Sequence, residues 1–503
     1  MAGMIDAVRV RIAPSPTGPL HIGTARTALF NFLFARHVGG TFILRLEDTD
    51  VARSSIAYEK DILDGLHWLG LTWDEGPAVA GEEARGPYGP YRQMERRAQY
   101  KEAADGLLAA DMAYPCYCTP EELDAERRRQ EAAHLPPRYS GRCARLTAAE
   151  RAAFEAEGRR PALRFRIAEG IVAFDDMVRG HVEFDTSTLG GDLVVVRADG
   201  TPLYHFAVVV DDAAMEITHI IRGEDHISNT PKHILLFRAL GHDEPRFAHL
   251  PLILNADRTK MSKRKGQTAI NDYIGEGLVR EAMVNYLALL GWSTGTEEEL
   301  LSLDELVERF DIGHVQKSGA VFDRERLEWL NGQWIRRLPP DELVERLRPF
   351  LEAEAASGRI DRVPTDDEIR ALVPLVQERL PVLGAIGEVV GFLFVDEVSP
   401  DPEILVPKRW DVATALEALR AARETIAQNG ELAFDHEGLE VALRGLAEQR
   451  GWKAGDLFMS IRVAVTGRAA TPPLFETLVA LGYERTLDRL DRAVASLAEA
   501  TPA

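Results

Sequence analysis

Arg11-Ile-Ala-Pro-Ser-Pro-Thr-Gly-Pro-Leu-His-Ile-Gly-Thr24 separates two kinds of periodicity. Before it, Val8, Val10 and Ile12 alternate with Arg9, Arg11 and Ala13, which is the period of a strand. After it, Ala25, Ala28, Leu29, Phe32 and Leu33 recur at helical spacing up to Gly39-Gly40. Three prolines and Gly18 stiffen the intervening loop, and Gly23 at the helix entry lets backbone approach a ligand. A first strand feeding a helix N-terminus through such a loop is where open α/β sheets hold phosphate. His21 stands there as a donor. Taken alone, the stretch is equally readable as a rigid turn with a surface histidine.

The pattern repeats downstream. Thr41 to Asp48 reads as a second strand ending in Glu47, Asp48 and Asp50, and Ile56 to Trp68 as an amphipathic helix. Strand, helix, strand, helix implies a parallel sheet with ligands at the carboxyl ends of its strands. Arg11, His21 and Glu47 fall on that rim. Arg164 to Ile167, Val172 to Met177 and Gly180 to Phe184 read as short strands of an α/β insertion. Leu203 to Val210 is expected to be a strand closed by Asp211-Asp212, and Ile217 to Ile221 another, ending in Arg222-Gly-Glu-Asp225. Leu252-Ile-Leu254 then leads into Lys260-Met-Ser-Lys-Arg-Lys265, a basic loop suited to clamping polyphosphate. From Gly277 onward the chain is helical, with Pro339-Pro340 a natural boundary.

All three cysteines lie in one segment. Cys116 and Cys118 precede Thr119-Pro-Glu-Glu122, a capping box with proline at the first helical position, and Cys143 follows Tyr139 by four residues. Zinc takes four such ligands, so Cys116, Cys118, Cys143 and Tyr139 form a candidate set, with His134 the other neighbour and three idle thiols the plainer reading. Three cysteines among 503 residues do not make a disulfide framework, which points to a reducing compartment and so to the cytoplasm.

Bulk properties exclude some classes. The chain is 46% hydrophobic and 28% charged, and its longest apolar run, Val389 to Val395, is far below membrane-spanning length. Its first residues lack the basic-then-apolar pattern of a secretory signal. The net charge of −21 disfavours general adhesion to nucleic acid, yet Arg127 to Arg129, Lys260 to Lys265 and Arg336-Arg337 form basic tracks.

His21-Ile-Gly-Thr24 with Lys260-Met-Ser-Lys-Arg264 resembles the signature pair of class I aminoacyl-tRNA synthetases. Arg11 to Gly18, Leu46-Glu-Asp-Thr-Asp50, Gly89-Pro-Tyr-Arg-Gln93, Tyr204 to Asp212, Ala320-Val-Phe-Asp323 and Trp329-Leu-Asn331 narrow the resemblance to the glutamyl branch of the non-editing glutamyl/glutaminyl subgroup. The likeness runs nearly end to end. Thr24 stands in place of the second histidine of the generic motif, Met94 where serine is frequent, and Val208 where some relatives carry a polar residue.

The resemblance implies an α/β fold. Its parts would be a Rossmann-type parallel-sheet catalytic half over 1–90, a connective insertion over 91–200 touching the tRNA acceptor, and a second catalytic half over 201–245. A stem-contact region carrying the basic loop would span 246–338, and an all-α anticodon-binding domain 339–503. It implies ATP-dependent ligation of L-glutamate to tRNA(Glu) through glutamyl-adenylate, with Mg²⁺ accompanying ATP. His21, Lys260 and Lys263 would be catalytic. Gly18, His21, Gly23, Thr24, Lys263 and Arg264 would bind ATP. Arg11 and Tyr204 would hold the glutamate side-chain carboxylate, Glu47 its ammonium and Arg222 its α-carboxylate, with Ala13 and Ser15 at the same rim. One structural zinc and a monomeric state are expected. Charging of tRNA(Gln) as well as tRNA(Glu), or adenylate formation for another acceptor, are the alternatives. Arg379 in the helical half is a plausible anticodon contact.

Overall fold

In the computed structural model of the chain, residues 7–78, 83–261 and 268–499 are described. The chain folds as two compact units, Met1–Tyr273 with Met283–Arg324 and Ile274–Ala282 with Glu325–Ala503.

The first unit is built on parallel strands. Arg9–Ile12 pairs in parallel with Thr41–Leu44. Beyond these regular ends the ladder continues, because Arg45 N–H donates to the Ile12 carbonyl and Glu47 N–H to that of Pro14. Glu47 is thereby held beside the start of the proline loop. His219–Gly223 pairs in parallel with Arg246–Leu250, and the Thr218 N–H bonded to the Arg9 carbonyl at 3.0 Å links the two pairs edge to edge. The hairpin Ile171–Asp176 with Gly180–Asp185, expected inside an insertion, joins the same sheet by pairing Asp176 with Phe247. The strand Arg246–Leu250 was not legible beforehand, because Arg246, His249 and a single apolar alternation disguise a buried strand.

Between the first strands runs the helix Ile22–Val38, buried along most of its length. Asn31 ties it to the sheet by donating to the Ile221 carbonyl at 2.9 Å. Gly39 closes it at φ 68, the left-handed cap that glycine adopts without strain.

One expected element is wrong. Leu203 to Val210 is not a strand; Tyr204–Ala214 is a helix with Phe206 to Asp212 all buried. A helix packed on every side loses its polar face, so its apolar run carries no 3.6 period and its valines mimic a strand. The change matters for the site: Tyr204 opens a helix, and Asp211 and Asp212 are interior side chains at 0% and 1% exposure, not a strand's solvated end.

The second unit is helical. Arg324–Arg337, Pro340–Ala356 and Asp366–Val376 fall where helical periodicity places them. Val412–Asn429, His436–Arg450, Ala454–Thr466 and Tyr483–Glu499 complete it with Leu474–Leu481. No helix among the described residues is long and apolar enough to cross a membrane.

Candidate active site

The proline loop is fixed from three sides. Ser55 N–H donates to the Pro16 carbonyl, Asp61 accepts from Leu20 N–H, and the extended segment at Thr268 to Ile270 bridges His21 and Leu20. This frame leaves the N-terminus of Ile22–Val38 facing a cavity of about 630 Å³ at the carboxyl ends of the strands. The helix has no acidic residue in its first turn and no side-chain cap, so its positive end is uncompensated from within. No atom lies within 4 Å of where a Cβ on Gly23 would stand, so backbone there is open to close approach.

Ten expected residues line this one cavity: Arg11, Ala13, Ser15, His21, Gly23, Thr24, Glu47, Tyr204, Arg222 and Lys260. Gly18 does not; it lines an adjoining recess of about 90 Å³ that shares Pro14, Ser15, His21 and Thr24 with the cavity. Lys263 and Arg264 lie outside the described residues. His21 Nδ1 is 3.0 Å from the Thr268 hydroxyl. Lys260 is exposed and donates to Asp225 at 3.0 Å. Burial would raise the Asp225 carboxyl, but that hydrogen bond and nearby positive charge hold it below its ordinary value.

Beneath the cavity is a charge network that the sequence reading missed. Arg11 presents its Nε and Nη2 to the two oxygens of Asp212 at 3.1 and 3.2 Å. Arg45, fully buried, reaches Asp212 at 2.7 Å and Glu47 at 3.3 Å, with Asp211 at 3.5 Å. Asp211 also accepts from Gln93, Arg96 and Tyr100. Burial alone would raise the carboxyl of Asp212, and Arg11 and Arg45 reverse that, holding it below its usual range. Glu47 fares differently. Its burial outweighs Arg45 and Arg11, so its carboxyl sits above the ordinary value.

Of the three arginines that line the cavity among the described residues, Arg26 is engaged by the Leu290 and Pro251 carbonyls, and Arg11 and Arg222 differ in a way their sequence context conceals. Arg11 spends its side-on edge on Asp212, which leaves its end-on Nη1/Nη2 edge. Arg222, 5% exposed, donates Nε to His249, Nη1 to His233, and Nη2 to Thr230 and the His226 carbonyl. Four of five donors are engaged, all by neutral groups, and one Nη1–H is left. Among the described residues no carboxylate is hydrogen-bonded to Arg222. Burial therefore lowers its pKa to about 10. Its partners are neutral for the same reason: His226 is depressed to about 4 by burial and by Arg222, and His233 falls well below its normal value. Tyr204, its pKa pushed up to about 12 by burial, bonds His226 Nδ1 at 3.1 Å.

A second cluster matches the expected metal set. Cys116, Cys118 and Cys143 bring their sulfurs within 4.8 Å of one another. The Tyr139 hydroxyl lies 3.6 Å from the Cys116 sulfur and 3.7 Å from that of Cys118, and Cys118 and Cys143 are 3.5 Å apart. Tetrahedral zinc with thiolates at about 2.3 Å requires sulfurs about 3.8 Å apart, so the donors fit in type and spacing. Hydrogen bonds from the Cys118 and Cys143 thiols, then from Arg164, hold the Cys116 thiol far below its usual value. His134 is exposed and is not part of the cluster. The capping box at Thr119 and Glu122 forms as expected.

Comparison with known proteins follows the same division. Residues 7–329 match the family described as tRNA synthetases class I (E and Q), catalytic domain, and residues 342–494 match the anticodon binding domain. The chain belongs to this family. A glutamate–tRNA ligase of Heliobacterium modesticaldum is 46% identical, covering 97% of both chains. One from Symbiobacterium thermophilum is 45% identical over 96% of this chain and 99% of its own. A solved glutamate tRNA ligase from Elizabethkingia meningosepticum, in complex with its amino acid, superposes with a TM-score of 0.86. It is 35% identical and covers 98% of this chain and 100% of its own. What the cavity supplies is charge and position.

Proposed function

We propose that the chain ligates L-glutamate to tRNA(Glu), with ATP and Mg²⁺ as co-substrates. The observation that carries the reading is the placing of the buried Arg11 and Arg222 guanidinium groups and the buried Glu47 carboxylate around a cavity that also receives a helix N-terminus, the third buried arginine there, Arg26, being engaged by the Leu290 and Pro251 carbonyls. Free glutamate carries two carboxylates and one ammonium, the complement of that arrangement.

The donor inventory supports an assignment of the two ends. Arg11 keeps an edge that can grip both oxygens of a carboxylate, which suits the unreactive side-chain group, with Tyr204 beside it. Arg222 keeps one N–H, which can hold one oxygen of the α-carboxylate and leave the other free to attack. Glu47 receives the ammonium, whose positive charge restores the carboxylate that burial disfavours. Ala13 and Ser15 complete the rim.

In the first step the free α-carboxylate oxygen attacks the α-phosphorus of ATP and pyrophosphate leaves, giving glutamyl-adenylate. In the second, a hydroxyl of the terminal tRNA ribose attacks the acyl carbon and AMP leaves. Both transition states gather negative charge on phosphate oxygens, so preorganised donors carry the rate. His21, Gly23 and Thr24 at the helix N-terminus supply them, with Lys260, Lys263 and Arg264 closing from the basic loop. Gly18, expected to bind ATP, lines the adjoining recess.

Cys116, Cys118, Cys143 and Tyr139 would hold one structural zinc, which cross-links the start of helix Pro120–Ala132 to the segment at Cys143. The segment 91–200 would meet the tRNA acceptor end, 246–338 its stem, and 339–503 the anticodon, with Arg379 a contact there. We place the enzyme in the cytoplasm as a monomer specific for tRNA(Glu). Activity on tRNA(Gln) has no observation in its favour.

The test is glutamate-dependent ATP–pyrophosphate exchange with tRNA present. Arg11→Ala is expected to abolish glutamate saturation. If glutamate dependence is unchanged, the pocket assignment is wrong. Aminoacylation of tRNA(Gln) at a rate comparable to tRNA(Glu) would replace the specificity stated here.

A further inference from the structure

Behind the cavity, Arg222 rests on a histidine that contacts no substrate position. His249 is fully buried, and its Nε2 is 3.2 Å from Arg222 Nε and 3.0 Å from the Thr230 hydroxyl. Its Nδ1 lies 2.6 Å from Asp176 Oδ2. A guanidinium only donates, so Nε2 must be the bare nitrogen and Nδ1 must carry the hydrogen given to Asp176. The other oxygen of Asp176 is pinned by three backbone N–H groups, those of Val178 at 2.9 Å, Arg179 at 2.8 Å and His249 at 3.2 Å. Asp176 belongs to the hairpin strand Ile171–Asp176, and His249 to Arg246–Leu250.

We propose that Asp176 and His249 form a positioning dyad for glutamate activation: Asp176 fixes the His249 tautomer, and the bare Nε2 aims the Arg222 guanidinium at the substrate α-carboxylate. The inference rests on the assignment of Arg222 to that carboxylate. Its physical content is a polarity chain from carboxylate to imidazole to guanidinium, in which His249 Nδ1 donates and Nε2 accepts. A parallel arm steadies the other side of the fork. Arg222 Nη1 donates to His233 Nδ1, so His233 Nε2–H must donate to His205 Nδ1 at 3.0 Å. That arm ends on a neutral histidine, whereas the His249 arm ends on a charge. Only the latter has its tautomer dictated by an ion.

Asp176→Asn isolates the proposal because it keeps shape. Its carbonyl oxygen is held by the three backbone donors, which forces the NH2 group toward His249 Nδ1. That nitrogen must then accept, the hydrogen moves to Nε2, and Nε2–H faces Arg222 Nε–H. Two donors meet, Nε2–H is left with the Thr230 hydroxyl that already accepts from Arg222 Nη2, and the guanidinium loses its aim. The expected result is a rise of about tenfold or more in KM for glutamate, with KM for ATP and for tRNA unchanged. The assay is aminoacylation by the full-length enzyme. Asparagine at 176 in a folded enzyme with unchanged glutamate KM overturns the proposal.

Should Asp176→Asn not fold, His249→Gln and His249→Leu decide. Glutamine can present its oxygen where Nε2 stood and is expected to retain glutamate affinity better than leucine by about tenfold; equal loss refutes the dyad. The wild-type protein gives a reading independent of any variant: ¹⁵N shifts of its histidines must include a buried imidazole protonated at Nδ1 and bare at Nε2. The opposite tautomer at His249 overturns the proposal. Arg222→Gln separates the two levels. If it leaves glutamate KM unchanged, the assignment of Arg222 fails; if it raises KM while Asp176→Asn does not, only the dyad fails.

Discussion

Arg222→Gln removes a buried cation that has no anionic partner, and its consequence can be worked from hydrogen bonds. The one free Nη1–H is assigned to a substrate carboxylate, and a hydrogen bond involving a charged group contributes about 1.5 to 3 kcal/mol, or about 10- to 150-fold in affinity. Ligand linkage turns this into a thermal shift. Glutamate at about 100 times its Kd stabilises the native protein by about 2.7 kcal/mol, whereas the same concentration against a hundredfold weaker site gives RT ln 2, about 0.4 kcal/mol. At about 2 °C per kcal/mol, a shift of about 5 °C falls to about 1 °C. The assay is a fluorescence melt of wild type and variant with and without L-glutamate, using L-glutamine as the control ligand. A folded Arg222→Gln that keeps the full glutamate shift would refute the reasoning, since Arg26, the other buried cavity guanidinium without a carboxylate partner among the described residues, is already engaged by the Leu290 and Pro251 carbonyls.

The charge network beneath the cavity gives a stability prediction: Asp212→Asn leaves Arg11 and Arg45 without their shared counter-charge and should cost about 3–5 kcal/mol in denaturant titration. Because the folded carboxyl lies below its ordinary value of about 3.9, its contribution is present in full above that pH and is lost as pH falls through the folded value. Wild-type stability should therefore drop steeply below about pH 4, and Asp212→Asn should flatten that part of the curve. Thr268→Val removes the hydroxyl beside His21 and is expected to lower kcat by about three- to tenfold while sparing glutamate KM, read in steady-state aminoacylation. Protein purified without chelator should carry about one zinc per chain by elemental analysis, and Cys118→Ser should lose it; a metal-free wild type would contradict the site.

Much of the site was legible because it lies where local periodicity stops. Arg11, Glu47 and Arg222 each follow an apolar strand, and a charge placed there is visible without knowing what it faces. His21 and Gly23 were visible for a similar reason, since prolines and glycines punctuate the chain around them. The cysteine cluster could be read from spacing alone, because a capping box fixes where the helix begins after Cys118. Helix Tyr204–Ala214 was misread because burial on all faces erases the period that distinguishes helix from strand. Asp211 and Asp212 were consequently seen as a solvated strand end. The signal that could have corrected this is the charge itself: two adjacent acids after the five-residue apolar run Phe206 to Val210 must find cations if they are interior, and Arg45 stands in a strand already singled out, with Arg96 three residues beyond Gln93. The dyad of Asp176 and His249 had no such signal. Its two halves are 73 positions apart on strands whose pairing only the fold reveals.

The contrast between Arg11 and Arg222 explains how one cavity can treat two carboxylates differently. Both side chains are buried, and both come from strands of the same parallel system, so burial and residue type do not distinguish them. Their partners do. An acid on the side-on edge of Arg11 neutralises it and fixes its plane, leaving a two-pronged edge for a group that must be held still. Neutral histidines and a threonine around Arg222 fix its plane equally well without cancelling its charge, and consume all but one hydrogen. A full positive charge with a single free prong attracts a carboxylate yet engages only one of its oxygens. The other oxygen remains a nucleophile. Exchanging the two sets of partners would put a neutralised, two-pronged grip on the reacting group and a strong single bond on the spectator, which is the wrong way round for adenylate formation. On the proposed assignment, the acids and histidines behind the cavity decide which carboxylate of glutamate reacts.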